Sequence, residues 1–440
     1  MGMHPATLMM RVWIFVVAAF VLLPFHLVGR TLSFYGGVML ALLIATFCVG
    51  SWLTSPHMQR LPYAPNVAID FRMTDRLLQI ASALATILFT VELLRGNYGD
   101  LAAAYNERSD RVTATLSGTG EGGGIFFQIA FLLYPAAYAY LVRQVGFAPR
   151  ISVIRVLGFG ILPLVAGSLV LGGRAPLAIG IFIAFLAIGL RRQLYPPVRT
   201  SSGRPGRNLG IYAALGVVML VALNYFAKVF FVRAGGADNV GAAFDNAAYN
   251  WGVTFEGPYA DVLRTILGEG NLYLLFVFVW YLVQGLVISN VIFTDYAGPP
   301  HFGVYGVDLV TAAMRRLAPA FVADRFQQLL DLNVYGFLPT AFGTAFVDFR
   351  YFCFVFIFIW GLLAGLVYRR TRDGRDPRWL LMAPFVTLGI GFSSVNTPIG
   401  FSNGLVTHIW MLIAFFSART LFLSVPATVE RYVEQPSRVT

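Results

Sequence analysis

The stretch Asn333–Tyr368, NVYGFLPTAFGTAFVDFRYFCFVFIFIWGLLAGLVY, runs from a polar, aromatic and glycine-broken approach into a long apolar segment. From Phe349 to Tyr368 only Arg350 carries charge, which is the length and composition of a helix that spans a bilayer. Asp348 and Arg350 stand at its entrance. Charges at the mouth of a span are costly unless paired or used, so this pair points to a site at the membrane–water boundary.

The rest of the chain agrees. Of 440 residues 58% are hydrophobic and only 12% charged, and the mean hydropathy is +0.70. A water-soluble domain of this size needs far more polar surface. The apolar stretches are long and uniform rather than alternating, which excludes an outer-membrane barrel pattern. The expected fold is all-α: one polytopic membrane domain over residues 1–440, with about ten transmembrane helices plus one re-entrant or additional helix. The predicted spans are Val12–Val28, Thr31–Leu53, Leu77–Leu94, Ile125–Val142, Val153–Leu171, Ala175–Leu190, Leu209–Phe231, Phe349–Tyr368, Trp379–Val395 and Leu405–Val425.

Charge sets the orientation. The basic loop 191–208, with Arg191, Arg192, Arg199, Arg204 and Arg207, reads as cytoplasmic; so do Arg369–Arg378, Arg143 with Arg150, and the tail with Arg431 and Arg438. With the N-terminus inside, the predicted spans put all of these on one side. That leaves 95–124 as a first outer loop, Gly172–Pro176 as an outer turn and 232–344 as a large outer region. The apolar segment 272–293 within it cannot cross without breaking the alternation. It is expected to dip in and return, turning near Gln284-Gly285 or Ser289-Asn290, although hydropathy alone reads it equally well as an ordinary span. The net charge of +11 follows from arginine-rich inner loops. No basic run interleaved with aromatics suggests nucleic acid, and the two cysteines, Cys48 and Cys353, lie in apolar segments and offer neither a disulfide framework nor a metal site.

The chemistry-bearing residues lie on the outer side. Arg174, framed by Gly172, Gly173 and Pro176, suits an anionic group held at the membrane surface, though an arginine at a span end also snorkels to headgroups. Residues 306–317 fit an amphipathic surface helix ending in Arg315 and Arg316, where the helix dipole also favours cations. Arg325 adds a further cation. His301 is the histidine of the long outer loop and a candidate proton acceptor; Asp348 is another, or a structural partner of Arg350. Asn333 and Tyr335 suit a sugar, since rings stack on its apolar faces and amides bond its hydroxyls. Signatures of zinc peptidases, serine hydrolases and nucleotide-binding loops are absent, and no mid-span acid or base suggests an ion-coupled transporter.

Three segments carry a resemblance to the bacterial oligosaccharide repeat-unit polymerases, the Wzy-type enzymes of O-antigen and exopolysaccharide assembly. They are the Gly-Gly-Arg-Ala-Pro turn at Arg174, the stretch Tyr281–Gly285 with the loop to Arg316, and Asn333-Val-Tyr335 through Asp348-Phe349. Two departures stand out: Arg350 occupies a position where the family usually has glycine, and Val232–Asn271 is longer than usual. The resemblance implies a multispan glycosyltransferase of the inner membrane, with its active site facing the periplasm. Such an enzyme moves a growing glycan from undecaprenyl pyrophosphate onto the sugar of a fresh lipid-linked unit, for O-antigen, capsule or exopolysaccharide. It implies no metal and no cofactor, an undecaprenyl-pyrophosphate-linked oligosaccharide as substrate, and a chain-length regulator or export protein as the kind of companion to expect. Without a metal, cations must stabilise the departing pyrophosphate, and Arg174, Arg315, Arg316 and Arg325 are the candidates. The competing readings are an O-antigen ligase-type transferase and a polytopic lipid or glycan transporter.

Overall fold

The computed structural model describes residues 3–55, 67–95, 124–171, 173–194, 206–234, 239–334, 336–400 and 402–422. In chain order these form α1 (Pro5–Leu22), β1 (Phe25–Leu27), α2 (Phe34–Thr54), β2 (Val67–Asp70), α3 (Arg72–Arg95), α4 (Ile125–Phe147), α5 (Val153–Val170), α6 (Ala175–Leu194), α7 (Gly206–Arg233) and α8 (Val240–Trp251). They continue with β3 (Val253–Phe255), α9 (Pro258–Asp295), α10 (Asp308–Leu317), α11 (Pro319–Asp331), α12 (Ala341–Phe349), α13 (Cys353–Asp373), α14 (Ala383–Gly391), α15 (Gly404–Ser417) and β4 (Arg419–Phe422). Among the described residues, eight helices are long and apolar enough to cross a membrane: α1 to α6, α9, and α12 taken with α13. The protein is a helical, multi-pass membrane architecture.

The packing follows from small residues. α2 and α13 lie side by side, Gly50 against the carbonyl of Phe358, Gly361 against that of Phe47, and Gly365 against that of Ser51. A Cβ on Gly361 would sit 2.2 Å from the Phe47 oxygen. Lipid tails are as apolar as leucine, so close backbone approach through small residues is what holds such helices together. Two apolar clusters result, one around α1, α2, α9, α12 and α13, the other around α3 to α6 and α15.

The bundle has two distinct ends. At the near end His4 bonds Ser55 Oγ at 2.6 Å and its ring meets Tyr368. There too β2 pairs with β4, Arg143 pairs with Asp75 at 2.9 Å, Arg191 reaches the carbonyls of Ala148 and Pro149, and Arg378 reaches Ala418 O. At the far end β1 pairs with β3, Tyr35 bonds Tyr351 and Arg30 donates to Asn333 O at 2.9 Å. The basic stretches around Arg143, Arg191 and Arg369–Arg378 thus share the near end.

Three expectations change. First, α1 begins at Pro5 rather than at Val12. Proline suits a first helical turn, where its missing N–H is no loss, and the His4 ring accepts from Ala6 N; Arg11 therefore lies inside the helix.

Second, 272–293 does not turn back at Gln284-Gly285 or Ser289-Asn290. α9 is continuous there, and its non-helical break is at Gly268 (φ 74°). Gly285 serves close approach instead, since a Cβ would meet Ser394 O at 2.3 Å. Its ring partners are Phe231, Phe230 and Phe25, reached by Tyr273, Tyr281 and Trp280. Asn290 grips both backbone groups of Ser33. All of these partners belong to the far end, so α9 lies across it.

Third, Trp379–Val395 and Leu405–Val425 are not two full crossings. α14 has 9 residues behind a short turn of 3-10 helix, and α15 has 14 before β4 begins; a helix crossing needs about 20. The tip between them carries Ser393, Ser394, Asn396, Thr397 and Asn403, which lipid would not tolerate. Protein covers it: Ala341 N donates to Ser393 O at 2.8 Å, Thr344 to Asn396, Tyr134 to Ser402 O, and Asn403 N to Asp308 at 3.1 Å. α14 runs from the near end to this tip and α15 returns from it to the near end, where Arg378 meets Ala418, so the tip forms the floor beneath the far-end loops. The expected outer loop 95–124 and basic loop 191–208 fall mostly outside the described residues.

Candidate functional site

The far end is organised by Asp348 at the close of α12. Its Oδ1 accepts from Tyr305 N at 3.0 Å and its Oδ2 from Gly306 N at 2.8 Å. Phe302 N donates to the Asp348 carbonyl, and His301 N to that of Val347. Gly306 is required, because a Cβ there would lie 2.5 Å from Asp348 Oδ2. Asp348 is 2% exposed, so its carboxylate clamps the loop after α9 instead of facing substrate. The alternative pairing with Arg350 is not formed. Arg350 turns away, donating to the Tyr296 carbonyl with its guanidinium over the rings of Phe346 (4.7 Å) and Tyr296 (5.1 Å).

His301 is likewise enclosed, with no exposed surface. Its ring sits among Tyr296, Tyr305 and Phe326, and neither nitrogen has a hydrogen-bond partner among the described residues. Burial, helped by the positive charge of Arg325, lowers its pKa to about 4. At neutral pH it is an uncharged packing residue, not a base poised over solvent. The unfolded chain takes up this proton near pH 6.5 and the folded one near 4, so folded stability is intact above 6.5 and falls as pH drops toward 4. The loss is roughly 3 kcal/mol. Thermal unfolding in detergent between pH 7 and 4 should show it, and His301→Phe should flatten that acid dependence while leaving the neutral-pH stability nearly unchanged. An unaltered acid slope in the variant would assign it to other groups.

Three of the predicted cations lie on aromatic rings. Arg174, between α5 and α6, stacks on Phe230 (3.6 Å) and faces Tyr281 (5.3 Å). Arg315 lies over Phe326 and Arg325 over Phe321, and Arg325 is near enough to act on both His301 and Tyr296. Arg316 is exposed in the last turn of α10. Arg316, Arg325 and Arg350 have no carboxylate within 4 Å among the described residues. Arg315, Arg325, Arg350, His301 and Asp348 thus form one cluster at the C-terminal end of α9. Arg174 does not join it: Tyr281 and Tyr296 are ~22 Å apart along that helix at 1.5 Å per residue. Asn333 stands just beyond α11 in a left-handed conformation (φ 50°). Tyr335 lies outside the described residues.

The cluster contains a strained residue. Arg350 has φ 51° and ψ −137°, a region that β-carbons disfavour by about 1–3 kcal/mol. Both Arg350→Gly and Arg350→Ala lose the guanidinium contacts, but only glycine releases the backbone. The glycine variant is therefore expected to be about 1–3 kcal/mol more stable than the alanine variant by denaturant unfolding. Equal stabilities would show that the turn is unstrained.

Sequence reasoning missed one feature outright. A pocket of about 500 Å³ opens at the far end between the β1–α2 connection, α8 and Asn333, lined by Val28, Gly29, Arg30, Asp245, Ala248, Tyr249 and Gly252 as well. The available signal was Arg30, an arginine on an otherwise uncharged outer connection after a glycine. Among the described residues no three His, Cys, Asp or Glu side chains gather as a metal site would require. Comparison of the chain with protein-family models, with curated proteins and with solved structures finds no match in any of the three.

Proposed function

We propose that this protein is a membrane glycosyltransferase of the repeat-unit polymerase type, and that the near end faces the cytoplasm. The supporting observation is the division of charge. Basic stretches occupy the near end, as cytoplasmic loops do, while at the far end Arg325 and Arg350 lie on aromatic rings and, among the described residues, they and the exposed Arg316 have no carboxylate within 4 Å. Planar guanidinium groups recognise phosphate oxygens in pairs. A surface that gathers them beside buried apolar helices suits a lipid-linked diphosphate, whose tail enters the bilayer while its headgroup stays at the interface.

In the reaction, a hydroxyl of the acceptor sugar forms a bond to the anomeric carbon of the donor glycan. The bond from that carbon to the diphosphate oxygen breaks, and undecaprenyl diphosphate leaves with the electron pair. The hydroxyl proton passes to solvent or to the departing diphosphate, since Asp348 and His301 are enclosed. The arginines act by stabilising the charge that develops on the leaving group. Deletion of the gene tests the reading through surface and lipid-linked glycan. Single repeat units remaining on lipid support it. Long lipid-linked chains would indicate a ligase, and units held on the inner leaflet a transporter; either result overturns it.

A further inference from the structure

The pocket at Arg30 is built from parts unlike those of the arginine cluster. Arg30 is partly buried, donates to Asn333 O at 2.9 Å and stacks at 5.3 Å over Phe337, which holds its guanidinium in place. Gly252 (φ 66°) forms the adjoining wall; a Cβ there would press on Arg30 Nε and Val28 O, both at 3.0 Å. Across from these, α8 presents the carboxylate of Asp245 and the ring of Tyr249, which is 88% exposed. A fixed donor, a carboxylate acceptor, an amide and an open aromatic face together bind a polyhydroxylated ring, with hydroxyls bridging the charged groups and the ring face stacking on tyrosine. The volume of about 500 Å³ lies within the usual range for small-molecule sites.

We infer that this pocket binds a sugar of the acceptor repeat unit, its hydroxyls held between the Arg30 guanidinium and the Asp245 carboxylate. The position fits the proposed polymerase reading, on which this inference rests. Asn333 stands just past the end of α11, no more than ~12 Å from Arg325 along that helix at 1.5 Å per residue. A lipid diphosphate at the arginine cluster therefore has its sugars within reach of Arg30, Asp245 and Tyr249.

The test uses the full-length protein in nanodiscs, supplied with lipid-linked repeat units purified from the source strain lacking this gene. Tyr249 and Asp245 are exposed on α8, so their substitution leaves the core intact. Asp245→Asn and Tyr249→Ala are each expected to raise the KM for the acceptor unit tenfold or more, with kcat little changed, and Tyr249→Phe to restore it. Binding of undecaprenyl diphosphate alone, measured by calorimetry, should be the same in all variants. If wild-type protein binds no undecaprenyl diphosphate and extends no chain, the polymerase reading fails. If it does both, and Asp245→Asn and Tyr249→Ala keep the wild-type KM, the pocket is not the acceptor site. A fall in kcat with KM unchanged would also overturn the assignment, by placing these residues in the chemistry rather than in sugar binding.

Discussion

Arg174→Ala is expected to abolish chain extension, lowering the rate by about two to three orders of magnitude; in the proposed reaction Arg174 holds the departing diphosphate of the donor, and the separate cluster around Arg325 holds that of the acceptor. The side chain is held between α5 and α6 with its guanidinium 3.6 Å from the centre of Phe230 and facing Tyr281. That arrangement fixes the planar fork while leaving α7 and α9 to define its surroundings. Protein level and membrane insertion should be unaffected, because the turn itself is made by backbone bonds such as Gly173 N to Ser168 O and Ala178 N to Arg174 O. Arg174→Lys separates the two roles of the residue. Lysine keeps the charge but not the stacked, bidentate fork, so it should recover only part of the activity. Glycan of normal length from the alanine variant, read on a gel of surface polysaccharide, would remove Arg174 from the site.

Gly361→Leu should prevent the folded protein from accumulating. The Cβ alone would lie 2.2 Å from Phe47 O and 3.0 Å from Phe47 C, and the obstacle is backbone, which cannot rotate aside. Gly365 and Gly50 bring α2 and α13 equally close above and below, so the two helices would have to separate along the whole seam. Overpacking a core costs about 1–3 kcal/mol when neighbours can adjust, and more when they cannot. Gly37→Leu is the control: it lies on the same α2, has nothing within 4 Å of a Cβ, and should be tolerated. Detergent-extracted yield and melting temperature of the two variants decide the matter. Similar behaviour of the pair would show that the seam is looser than these distances.

The membrane class, the position of most spans and the charge asymmetry were legible because each is written in local composition. A run of about twenty apolar residues has few alternatives, and arginine counts between runs report which side they face. The site was less legible. Asp348 and His301 stand out in the sequence as chemically capable residues, and the structure brings both to the far end, where both are buried. Whether a carboxylate faces substrate or binds backbone amides depends on loop residues some forty positions earlier in the chain that fold back on it. Arg350 illustrates the same limit: a charge beside Asp348 reads as a pair, yet its positive φ sends the side chain to Tyr296 instead. The Arg30 pocket depends on β1–β3 pairing and on α8, segments far apart in sequence that no local pattern connects.

The segments that were misread are those where the same apolar composition serves two geometries. Hydropathy could not tell α9, which lies across the far end, from a crossing helix, nor α14 and α15 from full spans, since a buried apolar helix and a lipid-facing one look alike residue by residue. What this sequence determined alone is that it lives in a bilayer, as helices, with its arginine-rich stretches together. What only the tertiary structure decided is which polar groups are spent on holding loops and which remain open at the far end. Hydrogen bonding and burial are properties of partners, and the partners here come from distant parts of the chain.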